Sequence, residues 1–344
     1  MKILITGATG FIGKRLAKIL AQGENELYLL VRRASAKKAE EIFKDFKNVF
    51  FIYGDISNND VIDTLQGVNI LPDDIESVIH FAAIYDLEVS LAQAYANNVI
   101  GTQNIIYLMQ RMKNLKFYHH ISTYAVSGTH EGNFSEDYLN PNASFPDFYA
   151  RTKMQAEHLV RNALLKDVKV RVYRPGIIIG DSISGEMDKV DGPYYFLRLF
   201  HQIEKYKKYL PKAILPLSCH KSATLPLLPV DTLNLWLAEM IAKPTHHKIR
   251  TYHLVPHEKI YITEFVKSCL DHLEIKLKVQ RVPFPALYAK ILPLLNIPKE
   301  LVPYMQNKTR YLTSNLKEDF PHFKSPSYRE YLPRIIDASK ELFK

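Results

Sequence analysis

The stretch KILITGATGFIG, residues 2–13, constrains the fold of this chain more than any other feature of the sequence. A short β-rich run over residues 2–6 leads into glycines at 7, 10 and 13, and a helical pattern follows. In such a unit Gly7 permits a tight turn, Gly10 lets the backbone approach a pyrophosphate and Gly13 lets helix pack on strand. The phosphates then lie at the positive end of the helix. The sequence therefore predicts a dinucleotide site that includes Thr6, Gly7, Thr9, Gly10, Phe11, Ile12 and Gly13.

Alternating strand and helix patterns predict the rest of the fold. Further β-rich runs cover residues 26–31, 49–54, 77–83, 116–122 and 168–173, and Gly23 stands where the first helix needs a cap. Nearly continuous apolar strands between helices are typical of a parallel sheet covered on both faces. We therefore expect an α/β Rossmann doubly wound parallel sheet in residues 1–176. A smaller substrate domain is expected mainly in residues 177–344, with residues around 225–256 returning to the sheet.

The end of the second predicted strand bears on the choice of cofactor. An NAD site would place an acidic residue there to bind the ribose 2′-hydroxyl, but this chain has Arg32 and Arg33. A guanidinium offers a fork of donors that suits a 2′-phosphate. We therefore expect NADPH (NADP) to be preferred over NADH, with a solvated arginine pair as the alternative interpretation.

Tyr149 and Lys153 are four residues apart and share one face of a predicted helix. A lysine ammonium beside a phenol, together with an oxidised nicotinamide ring, lowers the phenol pKa from its ordinary value of about 10. A hydroxyl from Thr123, or from Ser122, is placed to polarise a substrate carbonyl. The sequence predicts a catalytic set of Thr123, Tyr149 and Lys153.

Seven motifs, in order along the chain, resemble those of the extended short-chain dehydrogenase/reductase superfamily: TGATGFIG, GDI (54–56), HFAA (80–83), NVIGT (98–102), ISTYAVSG, YARTK and YRPG. The resemblance implies that Asp55 contacts the adenine and that Asn98 orders water and backbone near Lys153. A homodimer through helices of the cofactor domain is an expectation of the same kind. The cofactor contacts that this resemblance adds are Asp55, Ile56, Ala82, Ala83, Asn98, Pro175 and Gly176, the last two flanking the nicotinamide.

The segment YRPGIIIGDSISGEMDKVDGPYYF, residues 173–196, indicates one branch of this superfamily. It is similar to the fatty acyl-CoA reductase and carboxylic-thioester reductase branch, especially the N-terminal domain of bacterial two-domain fatty acyl-CoA reductases. HFAAIYD (80–86), LPLLPVD (225–231) and NKTRYLT (307–313) fit the same branch. In that branch the segment leads from the cofactor domain into the substrate domain.

The residues of that segment are consistent with an ordered loop beside the nicotinamide. Glycines at 180, 185 and 192 allow turns, and Asp181, Asp188 and Asp191 can tie the loop down through backbone N–H groups. Pro193 starts a predicted helix whose apolar residues 194–200 line an acyl channel or form ordinary core.

Two segments of the second half have more than one interpretation. Lys205, Lys207, Lys208 and Lys212 suit the phosphates of coenzyme A or of a carrier-protein arm, or a solvated face. Residues 281–305 carry five prolines and apolar residues at helical spacing. They predict a lid over an acyl chain, a peripheral membrane contact or plain core.

Composition and charge exclude several classes of protein. The net charge is +9, but the lysines are spread along the chain and no helix-turn-helix, zinc or RNP pattern accompanies them, so we expect no nucleic-acid binding. No secretory signal and no apolar stretch of membrane-spanning length is present. Cys219 and Cys269 lack a CxxC spacing, which predicts reduced thiols in a cytoplasmic protein. Histidine pairs at 119–120 and 246–247 have no carboxylate or cysteine at ligand spacing, so no metal is expected.

These patterns predict an NADPH-dependent reductase of long-chain acyl thioesters, either acyl-CoA or acyl-carrier protein. Without the second reductase domain of long homologues, the chain is expected to stop at the fatty aldehyde. One alternative is a dehydrogenase of a hydrophobic ketone, aldehyde or alcohol, such as a sterol-like ring. Sugar-nucleotide epimerisation is disfavoured by the apolar, proline-bounded substrate half. A non-enzymatic NADP-binding sensor is a third class, against which Tyr149 and Lys153 argue.

Overall fold

A computed structural model describes residues 1–61, 74–83, 90–188, 190–210 and 213–343 of the chain. Its strands are β1 (Lys2–Thr6), β2 (Glu26–Val31), β3 (Val49–Tyr53), β4 (Ser77–His80), β5 (Phe117–Ile121), β6 (Gly132–Phe134), β7 (Lys169–Pro175), β8 (Ile177–Ile179), β9 (Ile214–Leu217), β10 (Leu227–Pro229), β11 (Ile249–Leu254), β12 (Lys278–Arg281) and β13 (Thr309–Tyr311). Its α-helices are α1 (Phe11–Ala21), α2 (Ala36–Phe43), α3 (Leu91–Ala94), α4 (Gly101–Met109), α5 (Phe148–Asn162), α6 (Tyr194–Glu204), α7 (Val230–Ala242), α8 (Ile262–His272), α9 (Pro285–Ile291), α10 (Leu301–Met305), α11 (Ser314–Asp319) and α12 (Tyr328–Leu342).

Seven parallel strands form the central sheet in the order β3-β2-β1-β4-β5-β7-β11. The order reverses direction between β1 and β4, which is the switch point where doubly wound sheets bind dinucleotides. The Rossmann-type α/β fold predicted from the sequence is confirmed. The predicted strand over 77–83 stops at His80, and residues 84–86 of the HFAAIYD motif lie outside the described residues.

Helices cover both faces of the sheet. One apolar cluster joins β1 and β2 to α1 and α7, and it includes Trp236 and residues 316–323. On the opposite face, buried residues of α4 and α5 pack against the strands. Because α7 and β11 belong to this sheet and its core, the chain returns to the Rossmann layers after leaving them at β8.

A second apolar cluster lies beyond the carboxyl ends of the strands. It is formed mainly by α6, α8 and α12 and contains the buried side chains of Phe200, Phe265 and Ile335. Two small parallel sheets, β8–β10 and β9–β12, join chain segments that are far apart in sequence, as does the pair β6–β13. This layer faces the switch point and closes it from one side.

Two local expectations for the first helix have different outcomes. Gly7 has a φ of +74°, in the left-handed region where glycine is favoured, so the tight turn is present. Helix α1 ends at Ala21 with Gln22 in a right-handed conformation, and Gly23 is not among the glycines with positive φ. Gly23 thus directly follows the C-cap residue, as its predicted place at the helix end requires, but without a left-handed conformation.

Candidate active site

A cavity of about 550 Å³ lies at the carboxyl edge of the sheet, between the glycine loop and the second apolar layer. The predicted residues that line it come from four places along the sheet edge and from α5. They are Gly7, Thr9, Gly10, Phe11, Ile12, Gly13, Ala83, Thr123, Tyr149, Lys153, Pro175 and Gly176. The fold thus brings together a glycine loop near the N-terminus and a Tyr–Lys pair more than 130 residues later in one concave site.

The glycine loop leaves no room for side chains. A Cβ at Gly7 would lie 2.7 Å from the Ala82 amide nitrogen, and a Cβ at Gly13 would lie 2.3 Å from the Gly7 carbonyl oxygen. The N-cap residue of α1 is Gly10, which makes no side-chain capping bond. The first N–H groups of the helix therefore point toward the cavity from a bare backbone, which fits the pyrophosphate of a dinucleotide.

Tyr149 and Thr123 form the polar centre of the cavity. Tyr149 lies in the first turn of α5, and Thr123 follows β5, where its hydroxyl also accepts a bond from the Ala125 N–H at 3.3 Å. The two side chains share a hydrogen bond, which acts to lower the pKa of Tyr149. Burial outweighs it and raises the pKa of Tyr149 above its ordinary value of 10, because a buried phenolate is poorly solvated.

Lys153 lies one turn further along α5 and is almost completely buried. Its Nζ donates to the Ile121 carbonyl oxygen at 2.6 Å, at the end of β5. Burial lowers the pKa of Lys153 to about 8, and the negative charge of Glu157 opposes that shift. Among the protein groups, burial therefore dominates the pKa of Tyr149, and the lowering expected from Lys153 together with an oxidised nicotinamide ring stays a prediction.

Ser122 was the alternative to Thr123, and the structure distinguishes the two hydroxyls. Both residues line the cavity, but the Ser122 hydroxyl donates to Glu157 at 2.6 Å. Glu157 in turn accepts bonds from Arg174 at 2.7 Å and from Arg161 at 2.8 Å. Burial alone would raise the pKa of Glu157, but the Arg174 and Arg161 guanidiniums and the Ser122 bond hold it well below its usual range. Ser122 therefore belongs to a buried ionic network, while Thr123 bonds with Tyr149.

Asn98 contacts the catalytic helix α5 through a hydrogen bond to Thr152, the residue before Lys153. It lies in a π-helical stretch, Tyr95–Ile100, between α3 and α4, and its side-chain N–H donates to the Thr152 hydroxyl at 3.0 Å. Single turns of π-helix are frequent at functional sites because they redirect a side chain without ending the helix. Asn98 is buried, next to α5, and it is not among the residues that line the cavity.

Thr6 and Ala82 also lie behind the cavity wall. The Thr6 hydroxyl accepts a bond from the Ala82 N–H at 3.1 Å and bonds with His80 Nδ1 at 2.7 Å. The other ring nitrogen of His80 bonds with the Thr102 hydroxyl at 3.1 Å. This chain of buried bonds ties β1 to β4 and α4, so the role that it indicates for Thr6 is to hold the glycine loop in place.

Besides Thr6, Ala82 and Asn98, four more predicted cofactor residues lie outside the described cavity lining. Arg33 is exposed and its guanidinium stacks over the Tyr53 ring at 5.5 Å. Asp55 accepts bonds from the Ser57 N–H and hydroxyl at 2.9 and 2.8 Å, so it shapes the loop after β3. The remaining two are Arg32, which is exposed, and Ile56, which is buried beside Gly101. The cavity lining does include Lys38 of α2, which no motif in the sequence singled out.

Residues of the 180–196 segment line one side of the cavity. The contacts of Asp181 agree with the prediction, and those of Asp188 differ from it. Asp181 accepts backbone N–H bonds from residues 183 and 184, as expected. Asp188 instead forms an ion pair with Lys14 at 2.6 Å and lies 3.5 Å from Arg15, so it joins the segment to α1. The prediction that Asp188 holds backbone N–H groups was wrong, because α1 places two cations closer to its carboxylate. Lys189 lies outside the described residues.

Helix α6 contributes mainly core. Tyr194, Leu197 and Phe200 are buried in the second apolar cluster, and the Tyr194 hydroxyl accepts the Gly180 N–H at 2.9 Å. Among the apolar residues of α6, Phe196 lines the cavity. Of the two alternatives for this helix, plain core thus describes most of its aromatic residues and channel lining describes Phe196.

The far end of the cavity is apolar and was largely missed by sequence reasoning. Its side chains come from β9, α8, α10 and the loop before β10, which no sequence motif connects. They are Leu217, Leu225, Ile262, Phe265, Val266, Leu301 and Met305, with Tyr304 beside them. The Tyr304 hydroxyl donates to Asp147, the N-cap residue of α5, so α10 contacts the catalytic helix directly. Helical spacing indicated apolar faces on these elements, but not the cavity on which they converge.

Solved structures of other proteins share this fold. The terminal R domain of the myxalamid PKS-NRPS biosynthetic pathway matches with a TM-score of 0.78 and 20% identity, over 100% of this chain and 91% of that chain. UDP-glucuronic acid 4-epimerase from Bacillus cereus, in complex with NAD, matches with a TM-score of 0.72 and 19% identity over the full length of both chains. At these identities the likeness establishes the fold alone, which is the Rossmann-type α/β fold described above.

Sequence comparison identifies the family within that fold. The male sterility protein family, a family of NAD-binding domains, matches residues 5–234, more than half of the chain. The chain belongs to this family. Fatty acyl-CoA reductase wat of Drosophila melanogaster is 30% identical over 245 residues, 56% of this chain and 46% of that protein. The chain thus spans less than half the length of that relative.

Two absences can be stated for the described part of the chain. No cluster of three or more histidine, cysteine or carboxylate side chains is arranged to hold a metal ion there. Among the same residues, no helix is long and apolar enough to cross a bilayer. Cys219 and Cys269 are both buried thiols outside any disulfide.

Proposed function

We propose that this protein is an NADPH-dependent reductase that converts long-chain acyl thioesters, acyl-CoA or acyl-carrier protein, to fatty aldehydes. The observation that carries the proposal is the composition of the cavity described above. Thr123, Tyr149 and Lys153 occupy its polar end, and apolar side chains line the end that faces α8 and α10. A long-chain acyl thioester has a polar carbonyl group attached to a long apolar chain. The carbonyl group matches the polar end of the cavity, and the acyl chain matches the apolar end.

Tyr149 is suited to act as the proton donor in a reduction. Its raised pKa keeps the phenol protonated at neutral pH, so it can donate to a carbonyl oxygen as negative charge develops there. Thr123, which bonds with Tyr149, is placed to stabilise the same oxygen. When bound, the nicotinamide supplies the hydride that reduces the carbonyl carbon, and the resulting hemithioacetal breaks down to aldehyde and free thiol.

Lys153 supports this chemistry with a positive charge beside the phenol. A pKa of about 8 leaves most of the lysine protonated at neutral pH, and Glu157 favours that charged form. Its bond to the Ile121 carbonyl oxygen holds the ammonium at the sheet edge. We infer that Lys153 also holds the nicotinamide ribose, as its relatives' motif implies, while Pro175 and Gly176 border the ring.

NADPH preference is supported by the absence of a carboxylate at the end of β2, where Arg32 and Arg33 follow directly, and by Lys38 in the cavity wall. These arginine and lysine side chains would provide positive charge for a 2′-phosphate. Comparing the dissociation constants of NADPH and NADH tests this. Arg33→Ala and Lys38→Ala should weaken NADPH binding about tenfold while leaving NADH binding unchanged. Equal affinity for the two cofactors in the unmodified protein would contradict the preference.

One assay with two readouts tests the activity. Protein and NADPH are mixed with a long-chain acyl-CoA, or with acyl-carrier protein, and NADPH absorbance and free thiol are followed together. Both signals should change in step, and Tyr149→Phe should slow both by about 10²–10⁴-fold without changing NADPH affinity. One NADPH consumed per thiol released would identify the aldehyde as product.

NADPH binding without thiol release, across several chain lengths and both carriers, would overturn thioester reduction. Oxidation of NADPH by a hydrophobic ketone or aldehyde in the same preparation would then select a carbonyl reductase, which the same apolar lining could accommodate. A homodimer, the remaining expectation from the family, can be measured by sedimentation of the same preparation.

A further inference from the structure

Exposed apolar side chains are concentrated in two short segments of the substrate half. Among the described residues, eighteen large hydrophobic side chains are exposed, and eight of them lie in residues 206–214 and 284–295. These eight are Tyr206, Tyr209, Ile214, Phe284, Leu287, Ile291, Leu294 and Leu295. Isolated exposed apolar residues are common on protein surfaces, but such a cluster marks a contact surface.

Direct contacts join the two segments into one surface. Strands β9 and β12 pair in parallel, with Ile214 opposite Lys278. The Tyr288 hydroxyl donates to the Pro216 carbonyl oxygen, which fixes α9 against β9. We call the surface formed by residues 205–210, 213–217 and 276–299 the basic–apolar face.

Helix α9 presents an apolar stripe to solvent. Phe284, at its N-cap, Leu287 and Ile291 are spaced by three and four residues, and their exposed fractions are 57%, 54% and 39%. The opposite side of the helix packs inward through Tyr288 and Ala289. Leu294, in the turn that follows, is 81% exposed. An amphipathic surface helix normally directs its apolar stripe into the core, and α9 has a second one facing outward.

The charge of this face is entirely of one sign. Its sequence contains eight lysine and arginine residues, at 205, 207, 208, 276, 278, 281, 290 and 299, and no aspartate or glutamate. The chain has 45 basic and 36 acidic residues, so 37 basic and 36 acidic residues lie elsewhere in the sequence. Basic residues occur all along the chain, but nearly all of their excess over acidic residues belongs to the basic–apolar face.

Carboxylates border the face without neutralising it. Glu274 forms an ion pair with Lys207 at 3.0 Å, and Glu204 lies 3.8 Å from Lys340 of α12. Glu300 follows the last residue of the face. Even with Lys207 paired, the face retains a strong positive field around its apolar stripe.

We propose that the basic–apolar face binds the surface of an anionic lipid bilayer. An outward apolar stripe can insert among acyl chains at the headgroup boundary while the surrounding cations attract anionic headgroups. A soluble phosphate carrier would engage the cations and leave the exposed leucines and aromatic residues in water. The combination of both features on one face therefore favours a bilayer over a soluble anion.

The face also forms the outer wall of the candidate active site. Leu217 of β9 lines the cavity, and Leu301, which also lines it, packs in the same small cluster as Leu292 next to α9. Binding to a bilayer would place the apolar end of the cavity close to membrane acyl chains. That consequence rests on the proposed function, whereas the binding itself does not.

Vesicle cosedimentation with the full-length protein tests the proposal, in the absence of NADPH and thioester. The vesicles are phosphatidylcholine alone or phosphatidylcholine with about one third phosphatidylglycerol. The protein should bind the anionic vesicles and bind neutral ones at least about tenfold more weakly, and added salt should weaken the binding. The combined variant Leu287→Ser, Ile291→Ser, Leu294→Ser should lose at least about tenfold in affinity.

Matched controls use exposed residues elsewhere on the protein. Tyr107→Ser, Leu164→Ser and Leu235→Ser together remove three apolar side chains that are 54%, 89% and 61% exposed, and should leave binding unchanged. Lys278→Glu, Arg281→Glu and Lys290→Glu together should abolish binding to anionic vesicles. Lys18→Glu, Lys47→Glu and Lys166→Glu, which change net charge equally on other surfaces, should reduce it much less.

Each alternative occupant has a distinct outcome. Absence of binding to anionic vesicles, or equal losses in face and control variants, would overturn the proposal. A dimer that the triple serine variant dissociates, without vesicle binding, would assign the face to a second copy. Binding of acyl-carrier protein but not vesicles through the same lysines would assign it to that partner. Because vesicle binding is measured without turnover, its failure leaves thioester reduction untouched, and an inactive protein can still confirm it.

Discussion

The two ends of the cavity are held in place by different kinds of interaction. At the polar end, Tyr149, Lys153 and Thr123 are buried and are supported by hydrogen bonds and ion pairs that reach through α5 to Arg174. At the apolar end, the side chains of α8, α10 and β9 that line the cavity are mainly apolar and contact one another by packing, although the Tyr304 hydroxyl also attaches α10 to Asp147. Hydrogen bonds impose distances and directions, whereas apolar packing imposes only volume. We infer that the chemistry is fixed at one end and that substrate size is set at the other.

The largest effect is expected from the ionic support of the polar end. Glu157→Gln removes the charge that Arg174 and Arg161 share and leaves a fully buried guanidinium uncompensated. Such a loss typically costs about 3–5 kcal/mol of unfolding free energy. Chemical denaturation should show this decrease, and Glu239→Gln, which changes an exposed carboxylate on α7, should show almost none. Similar losses in both variants would remove the distinction drawn for the polar end.

Filling the apolar end should separate substrates by length. Val266→Phe adds volume to the cavity wall on α8, so activity toward long-chain acyl-CoA should fall about 10- to 100-fold more than activity toward a short-chain acyl-CoA. Leu270→Phe, one turn further on the same helix, is buried but does not line the cavity, and serves as the control for overpacking. The comparison fails if both variants reduce long- and short-chain activity in the same proportion.

The pH dependence should report the charge of Lys153. Because its pKa is about 8 in the folded protein, kcat/KM should fall as pH rises through 8, by about tenfold per unit beyond it. Lys153→Arg keeps its charge and should lose this alkaline limb, at a lower overall rate. The unfolded lysine titrates near 10.4, so the unfolded chain binds more protons between about pH 8 and 10.4. Lys153 by itself therefore makes stability rise with pH over that window. An alkaline limb that is unchanged in Lys153→Arg would assign it to another group.

The smallest effect is expected for the ion pairs that join the 180–196 segment to helix α1. Asp188 connects the 180–196 segment to Lys14 and Arg15 of α1, and all three side chains are partly exposed. Surface ion pairs contribute about 0–1 kcal/mol, so Asp188→Asn should weaken NADPH binding by no more than about fivefold, and salt should diminish the difference. Glu131→Gln breaks an exposed pair with Lys308 far from the cavity and should have no effect on cofactor affinity. A tenfold or larger loss in Asp188→Asn would show that this pair does more than join surfaces.

Features that depend on neighbours in the chain could be predicted well. The strand before the glycine loop, the conformation of Gly7 and the shared helical face of Tyr149 and Lys153 all follow from residues within a few positions of one another. The parallel order of the strands follows from their alternation with helices, since a right-handed crossover leaves few arrangements open. Local periodicity and backbone sterics are properties of the sequence itself, so they are readable before the chain is folded.

Features that depend on distant segments could not be predicted, and only the tertiary structure decided them. Asp188 meets Lys14 across 174 residues, and Lys153 donates to a carbonyl of β5, which no residue pattern indicates. Whether the pKa of Tyr149 is raised or lowered depends on how deeply the folded protein buries the phenol. The apolar end of the cavity joins α8, α10 and β9, whose apolar residues are equally consistent with plain core. The sequence by itself determined the cofactor fold and the residues able to perform the chemistry. Burial and long-range contact exist only in the folded chain, and they decided the protonation of those residues and the space left for the substrate.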